Sequence, residues 1–213
     1  MTTAQTSDQV TLIGADYSVY SRIARIALNL KGVTFDFVPL DVFAADGPEK
    51  ARLAGHPFGK VPILRHGKRV VFETLAITRY IDQAFEGPQL QPQNPVDRAR
   101  MNQIISLVDT QVYPVLDWGL HVPKSEGRNP APEMIEKGRA ILTVLDELAA
   151  NPWLCGTHPT LADAYLAGSM EYVLDSAVGD FFPQQAPRLW NWWQHAQSSP
   201  HLSRDHAAFL KRP

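Results

Sequence analysis

Hydrophobic and polar positions alternate and recur in a pattern that divides the chain into short elements. Residues 10–13, Val-Thr-Leu-Ile, read as a brief strand, and Gly14-Ala15-Asp16 closes it. Ile23, Ile26, Ala27 and Leu30 then recur at helical spacing as far as about Lys31, where Gly32 supplies a stop. Residues 35–40 predict a second strand, broken by Pro39. Residues 41–55 are mixed and polar and contain Gly47-Pro48, which predicts a mobile loop with a short helix. Val61 stands before Pro62 and is biased towards an extended conformation. Ile63 and Leu64 begin a strand, His66-Gly67 can turn the chain because glycine accepts a positive φ, and residues 69–72 return. Ile77, Ile81 and Ala84 repeat at helical spacing, so Glu73-Thr74 sits at a helix start.

From Gly87 to Pro95 the composition is that of a linker, and beyond it the pattern is helical only. Met101, Ile104, Ile105, Val108 and Val112 form one stripe, with Pro114 expected to kink or end that helix. Residues 121–132 read as a polar loop, and Ile141, Leu142, Leu145, Leu148 and Ala149 mark the next helix. Thr160 and Asp163 form a capping-box pattern ahead of an apolar run, predicting a helix to about Asp175. Pro187 and residues 189–196 give a last helix. Its Trp190, Trp192 and Trp193 cannot all face one way, so they read as core and surface cover.

Composition narrows the function classes. With 213 residues, 45% of them hydrophobic, the chain can bury a real core. A formal net charge of −2 gives no case for nucleic acid or an anionic membrane surface. The single cysteine, Cys155, excludes an intrachain disulfide and a Cys-x-x-Cys redox pair, and reads as a small buried or partly buried filler. The N-terminus is polar, without the pattern of a secretory signal, and residues 1–8 are expected to form a loose tail. No apolar run is long enough to predict a membrane span. The seven histidines show no metal-ligand spacing, so no metal is expected.

Candidate chemistry concentrates in residues 56–78, HPFGKVPILRHGKRVVFETLAIT. Pro62 cannot donate to a strand ladder, so the backbone beside it is poorly suited to internal pairing and suited to a ligand. The helix start at Glu73-Thr74 offers unpaired N–H groups and partial positive charge to an anion. These residues resemble the second half of the thioredoxin-like domain of cytosolic glutathione transferases, in which a Val-cisPro pair and a Glu-Ser or Glu-Thr pair hold glutathione. Val61-Pro62 and Glu73-Thr74 match those motifs, and the run PFGKVPIL…FET is most similar to phi-like and bacterial serine-type members.

The resemblance covers nearly the whole chain. It implies an α/β thioredoxin-like N-terminal domain over residues 8–88, a linker over 89–95, and an all-α helical C-terminal domain over 96–213, with the β-α-β-(α)-β-β-α order matching the first. It implies a cytoplasmic, homodimeric detoxification transferase that uses glutathione as co-substrate. Such an enzyme stabilises a thiolate, from a thiol of ordinary pKa about 8.5, by a hydroxyl donor and a nearby helix N-terminus. Aligned on Arg25-Ile26-Ala27-Leu28, Ser18 falls where serine-type members carry their catalytic serine, although Val19 replaces the proline usual next to it. Tyr17, Tyr20 and Ser21 are competing hydroxyls, and a serine ahead of a helix is also an ordinary N-cap.

By the same resemblance, Val61 pairs with the cysteinyl backbone of glutathione, Glu73 and Thr74 hold its γ-glutamyl end, and Lys60 meets the glycyl carboxylate. Lys50 and Arg52 are further basic residues near that end, without a clean motif match. The second-substrate pocket is expected from Tyr17, Phe43, Tyr113 and Trp118, with interior packing the other reading of Tyr113 and Trp118. His56 reads as a packing or surface histidine that shapes the ligand loop. A thiol–disulfide reductase would want cysteine in the turn after the first strand, and none is there. A glutathione-dependent peroxidase or isomerase on the same scaffold remains an alternative, as does a non-catalytic glutathione or hydrophobic-ligand carrier. Phe58, Arg79 and the helix of Met101 are where a dimer contact is expected.

Overall fold

The computed structural model describes residues 9–150 and 152–203; the expected tail over residues 1–8 lies outside them. The chain divides into two units, one running up to Leu90 and the other spanning Gln91–Ser203.

In the first unit the order is β1 (Val10–Gly14), α1 (Val19–Lys31), β2 (Asp36–Pro39), α2 (Gly47–Leu53), β3 (Ile63–His66), β4 (Arg69–Phe72) and α3 (Thr74–Ala84). The sheet order is β2-β1-β3-β4, with β1 parallel to β2 and the other pairs antiparallel. Both faces are covered, which is why apolar residues run consecutively in β1 and β3: Leu12 and Leu64 are fully buried, as is Ile63. Ile13 and Ile63 pack with Ala51 and Ala54 of α2. α1 and α3 pack against each other and against β1 and β4 respectively. Pro39 ends β2 rather than interrupting it; at the end of an edge strand its missing N–H breaks no ladder.

α1 begins where the Ser18 Oγ accepts from the Ser21 backbone N–H at 3.2 Å and ends at Gly32, whose φ is 77°. Lys31 donates to Asp82 on α3 at 2.9 Å and to the Pro88 carbonyl at 3.0 Å. That ion pair is almost wholly buried and ties the end of α1 to α3 and to the segment leaving it.

The second unit is helical among its described residues. α4 (Pro95–Leu107) runs on into a π-helical segment (Val108–His121) and a short α5 (Val122–Ser125). α6 (Pro132–Leu148), α7 (Leu161–Asp175), a 3₁₀ turn (Gly179–Phe181), α8 (Phe182–Gln185), α9 (Pro187–Ser198) and α10 (Pro200–Ser203) follow. α7 is buried from Leu161 to Val173, and α4, the π-helical segment and α9 pack around it. Trp192 and Trp193 are buried and Trp190 is half-buried, so the tryptophans divide between core and cover.

Two expectations for this unit change. Pro114, expected to kink or end its helix, does not end it: the chain passes through it in wider π winding, which makes room for a ring that an α-helical turn would reject. His121 does not open a polar loop: it closes the π-helical segment, is 5% exposed, and pairs through Nδ1 with Asp175 at 3.1 Å. Its ring also lies 4.4 Å from that of Tyr172. A histidine buried against an aromatic ring and beside a carboxylate carries no hydrophobic signal in the sequence.

Candidate active site

Strand register gathers the candidate residues of the first unit. Ile13 lies opposite Ile63, and Ile63 lies opposite Phe72. The turn over residues 14–18, the Val61-Pro62 entry to β3 and the Glu73-Thr74 start of α3 therefore fall side by side at one end of the sheet. Gly14 opposite Pro39 brings Asp41 to the same end. At a strand spacing of about 4.8 Å, the first three segments span about 10 Å. That is the length of an extended tripeptide.

Within the turn, the hydroxyl groups have separate roles. The Ser21 Oγ is buried and accepts from the Ala15 N–H at 3.1 Å, which removes it from the surface of the turn. The Tyr17 hydroxyl donates to Asp41 Oδ1 at 2.5 Å and accepts from the Val42 N–H at 3.2 Å. Burial, followed by that bond and the Asp41 charge, pushes the Tyr17 hydroxyl up to about 12, while the bond draws the Asp41 carboxyl below its ordinary value. Tyr20 is half-buried. Ser18 is half-buried at the N-terminus of α1, and its oxygen accepts from Ser21. That leaves the Ser18 O–H proton to be given elsewhere. Capping thus does not use the proton of this hydroxyl.

The Val61-Pro62 peptide bond is cis. Val61 is half-buried, and its N–H and C=O pair with no backbone group among the described residues. Lys60, next to it, is exposed. Glu73 precedes α3 with a φ of 67°, a positive value rare for a residue with a side chain, and makes no side-chain cap. Thr74 is 9% exposed and opens the helix. The first-turn amides of α3 are thus left without a capping side chain, near a residue whose backbone groups are unpaired. Lys50 and Arg52 are spent on their own helix, paired with Asp46 at 2.7 Å and Glu49 at 3.1 Å.

Phe43 is 72% exposed and lies against Tyr17, ring centroids 5.4 Å apart. In the second unit Tyr113 and Trp118 meet edge to face at 6.3 Å. Trp118 is 48% exposed, so it is not interior packing, while Tyr113 is half-buried. Burial is the largest influence on the Tyr113 hydroxyl and raises it; a hydrogen bond from Trp118 opposes the rise. Cys155 is half-buried, and burial pushes its thiol up to about 11, which leaves no thiolate at neutral pH. Among the described residues no group of three or more His, Cys, Asp or Glu could hold a metal ion, and no helix is long and apolar enough to cross a membrane.

The Tyr17–Asp41 bond was not legible in the sequence. The two residues are 24 apart, and only the parallel pairing of β1 with β2 brings them together. His56 is 3% exposed, and its links to Phe58 and Glu73 likewise depend on the folded loop.

Known proteins match along this architecture. The family models for the glutathione S-transferase N-terminal domain and C-terminal domain match residues 12–89 and 130–195. A probable glutathione S-transferase of Nicotiana tabacum is 30% identical over 190 residues, covering 86% of this chain and 82% of that protein. The apo structure of glutathione S-transferase III superposes with a TM-score of 0.76 at 28% identity, covering 96% of this chain and 99% of that one. The structure of glutathione S-transferase I bound with lactoylglutathione shares the fold, with a TM-score of 0.79 at 23% identity over 94% of this chain and 99% of that one.

Proposed function

Because the chain belongs to the glutathione S-transferase family, we propose that it activates the thiol of glutathione with Ser18 and transfers the thiolate to a small hydrophobic electrophile. The observation that carries the choice of residue is the fate of two neighbouring protons. The Tyr17 proton is given to Asp41, whereas Ser18 accepts from Ser21 and keeps its own proton to donate to sulfur. The N-terminus of α1 adds partial positive charge behind that donor, and together they favour thiolate over thiol. The thiol proton leaves to solvent. With an aromatic halide the thiolate forms a carbon–sulfur bond as the carbon–halogen bond breaks and halide departs with its electron pair.

Glutathione, an extended tripeptide, fits the span from residues 14–18 to Glu73. In this reading its cysteinyl backbone pairs with the N–H and C=O of Val61, beside Pro62. Its γ-glutamyl carboxylate meets the first amides of α3 and the Thr74 hydroxyl, and Glu73 balances its ammonium. Lys60 serves the glycyl carboxylate. Tyr17 and Phe43, with Tyr113 and Trp118 of the helical unit, are assigned to the electrophile; Tyr17 acts there as a wall and not as a donor to sulfur. A cytoplasmic location goes with the family reading.

The chain is also proposed to act as a homodimer. Phe58 is 71% exposed, and an apolar groove of about 350 Å³ between α6 and the α4–π helix is lined by Leu107, Val115, Ile141 and Val144. A second copy is the partner whose Phe58 such a groove suits. Met101 itself is buried within its own unit, so the contact falls on other residues of that helix.

Ser18→Ala and Tyr17→Phe, assayed with glutathione and an aromatic halide, test the assignment. Ser18→Ala is expected to lower turnover about a hundredfold, as loss of a donor to a developing anion does, with glutathione affinity little changed. Tyr17→Phe is expected to keep most of it. The reverse pattern refutes Ser18 as activator. A wild type that binds glutathione yet turns over nothing in a broad electrophile panel is a carrier.

A further inference from the structure

We propose that His56 is the positioning residue of this site, holding the loop that carries Val61 and the carboxylate of Glu73 in one register. The proposal rests on the reading of the site as a glutathione site. His56 lies between α2 and β3, buried, and ties the loop through both backbone and ring. Its N–H donates to the Ala51 carbonyl at 3.0 Å, and its carbonyl accepts from the Gly59 N–H at 3.0 Å. Ring Nδ1 accepts from the Phe58 N–H at 3.2 Å. That bond requires Nδ1 to be unprotonated, so the neutral ring carries its proton on Nε2. Nε2 stands 3.9 Å from Glu73 Oε1, within reach of a bond that a small rotation of Glu73 completes.

The two sides of this bridge have reason to need it. The Glu73 side chain is 64% exposed, and its backbone is held at positive φ; without a partner, water competes for its carboxylate. The loop is confined elsewhere as well. Gly59 has a φ of 66°, and a side chain there would strike the Pro48 carbonyl. Phe72 and Phe58 flank the imidazole, with centroids 5.4 and 6.3 Å away. The ring is therefore fixed, and one imidazole joins the segment that pairs with the ligand backbone to the residue that meets its ammonium.

The charged groups facing the ring are Glu73 at the start of α3 and Lys60 on its own loop. Burial, the largest influence, disfavours the imidazolium; Glu73 opposes that and Lys60 reinforces it, so the ring titrates below its ordinary range. A proton on Nδ1 would face the Phe58 N–H and abolish its bond. Acid should therefore loosen the loop that glutathione uses.

His56→Asn, His56→Gln and the wild type separate the two bonds. Asparagine places an acceptor near Nδ1 and cannot reach Glu73; glutamine places a donor near Nε2 and leaves Phe58 uncapped. Glutathione binding is measured by calorimetry, kcat and glutathione KM with an aromatic halide, and folding by thermal melting. H56N is expected to melt close to the wild type, to raise glutathione Kd and KM about tenfold, the loss of one charge-assisted bond, and to keep kcat within about twofold. H56Q, which leaves the Phe58 N–H without its acceptor, is expected to raise glutathione Kd as well, by about threefold. Wild-type KM should rise as pH falls from about 6.5 to 5, while H56N stays flat there. H56N with wild-type affinity and pH profile, or with lowered kcat at unchanged KM, overturns the proposal. Should H56N unfold early, H56Q decides: wild-type glutathione affinity in a folded H56Q refutes it. A wild type that does not bind glutathione overturns the functional reading together with this inference, whereas a glutathione-binding wild type matched by H56N overturns this one alone.

Discussion

Tyr17 and Ser18 are adjacent, yet the fold treats their hydroxyl protons differently. Asp41 takes one, and the other is left beside a helix N-terminus. A second residue of the same interest is Asp117, buried in the π-helical segment. Its Oδ2 accepts from the Ser169 hydroxyl at 2.9 Å, while its Oδ1 has no partner. Burial, only partly opposed by Ser169, raises its carboxyl well above the ordinary value. A raised folded-state value means that the folded protein holds this proton more tightly than the unfolded chain. The contribution to stability is full below the unfolded value of about 3.9, and is lost as pH rises through the folded value. Asp117→Asn keeps an acceptor for Ser169 and removes the titration. Its unfolding free energy in urea should therefore gain on that of the wild type as pH rises from about 5, by up to about 1.4 kcal/mol per pH unit until the folded value is passed. Parallel free energies over that rise would sink the prediction.

Among the elements, α7 shows most plainly how a local motif becomes a tertiary one. Thr160 and Asp163 close a capping box, as their spacing predicts. The fold then adds to it: Asp163 also accepts from the Leu154 N–H at 2.9 Å and from the Trp192 indole at 2.8 Å. One buried carboxylate thus joins the start of α7, the preceding loop and α9. Asp163→Ala would leave the Thr160, Leu154 and Trp192 N–H groups unpaired in the interior. With about 1–3 kcal/mol for each, a loss of at least about 3 kcal/mol is expected in chemical denaturation. A loss within that of an ordinary surface cap, about 1 kcal/mol, would show that water or local rearrangement satisfies those donors. The π-helical segment is the opposite case. Proline in the middle of an apolar stripe reads as a break, and it is the widened winding over Val108–His121 that accommodates it.

For the whole molecule, the proposed dimer is the part most open to direct measurement. Light scattering at micromolar concentration should return twice the chain mass of 23.7 kDa. Val144→Glu, which puts a charge among Leu107, Val115 and Ile141 of the groove, should shift the species towards monomer without loss of helical circular dichroism. A wild type with the mass of one chain refutes the dimer. The order of strands and helices in the first unit was legible because each element is short, strongly patterned and bounded by proline, glycine or a cap. The helical unit was legible in its number of long helices and less so at Pro114 and His121, where a neighbour's contribution outweighs local preference.

Local chemistry sufficed for the elements of the first unit and for the motifs Val61-Pro62, Glu73-Thr74 and Thr160–Asp163, since each is written within a few consecutive residues. The candidate thiol activator stayed open among Tyr17, Ser18, Tyr20 and Ser21, since all sit in one turn and carry the same functional group. Folding separates them by what each meets. Pairing of β1 with β2 brings Asp41 to Tyr17, packing turns Ser21 inward to Ala15, and the cap at Ser18 spends its oxygen but not its proton. The same holds for His56: a lone histidine in the sequence, it joins the ligand loop to Glu73 because β3 and β4 pair with Ile63 opposite Phe72. Neighbours 17 or 24 residues away are set by strand register, and strand register is a property of the folded sheet.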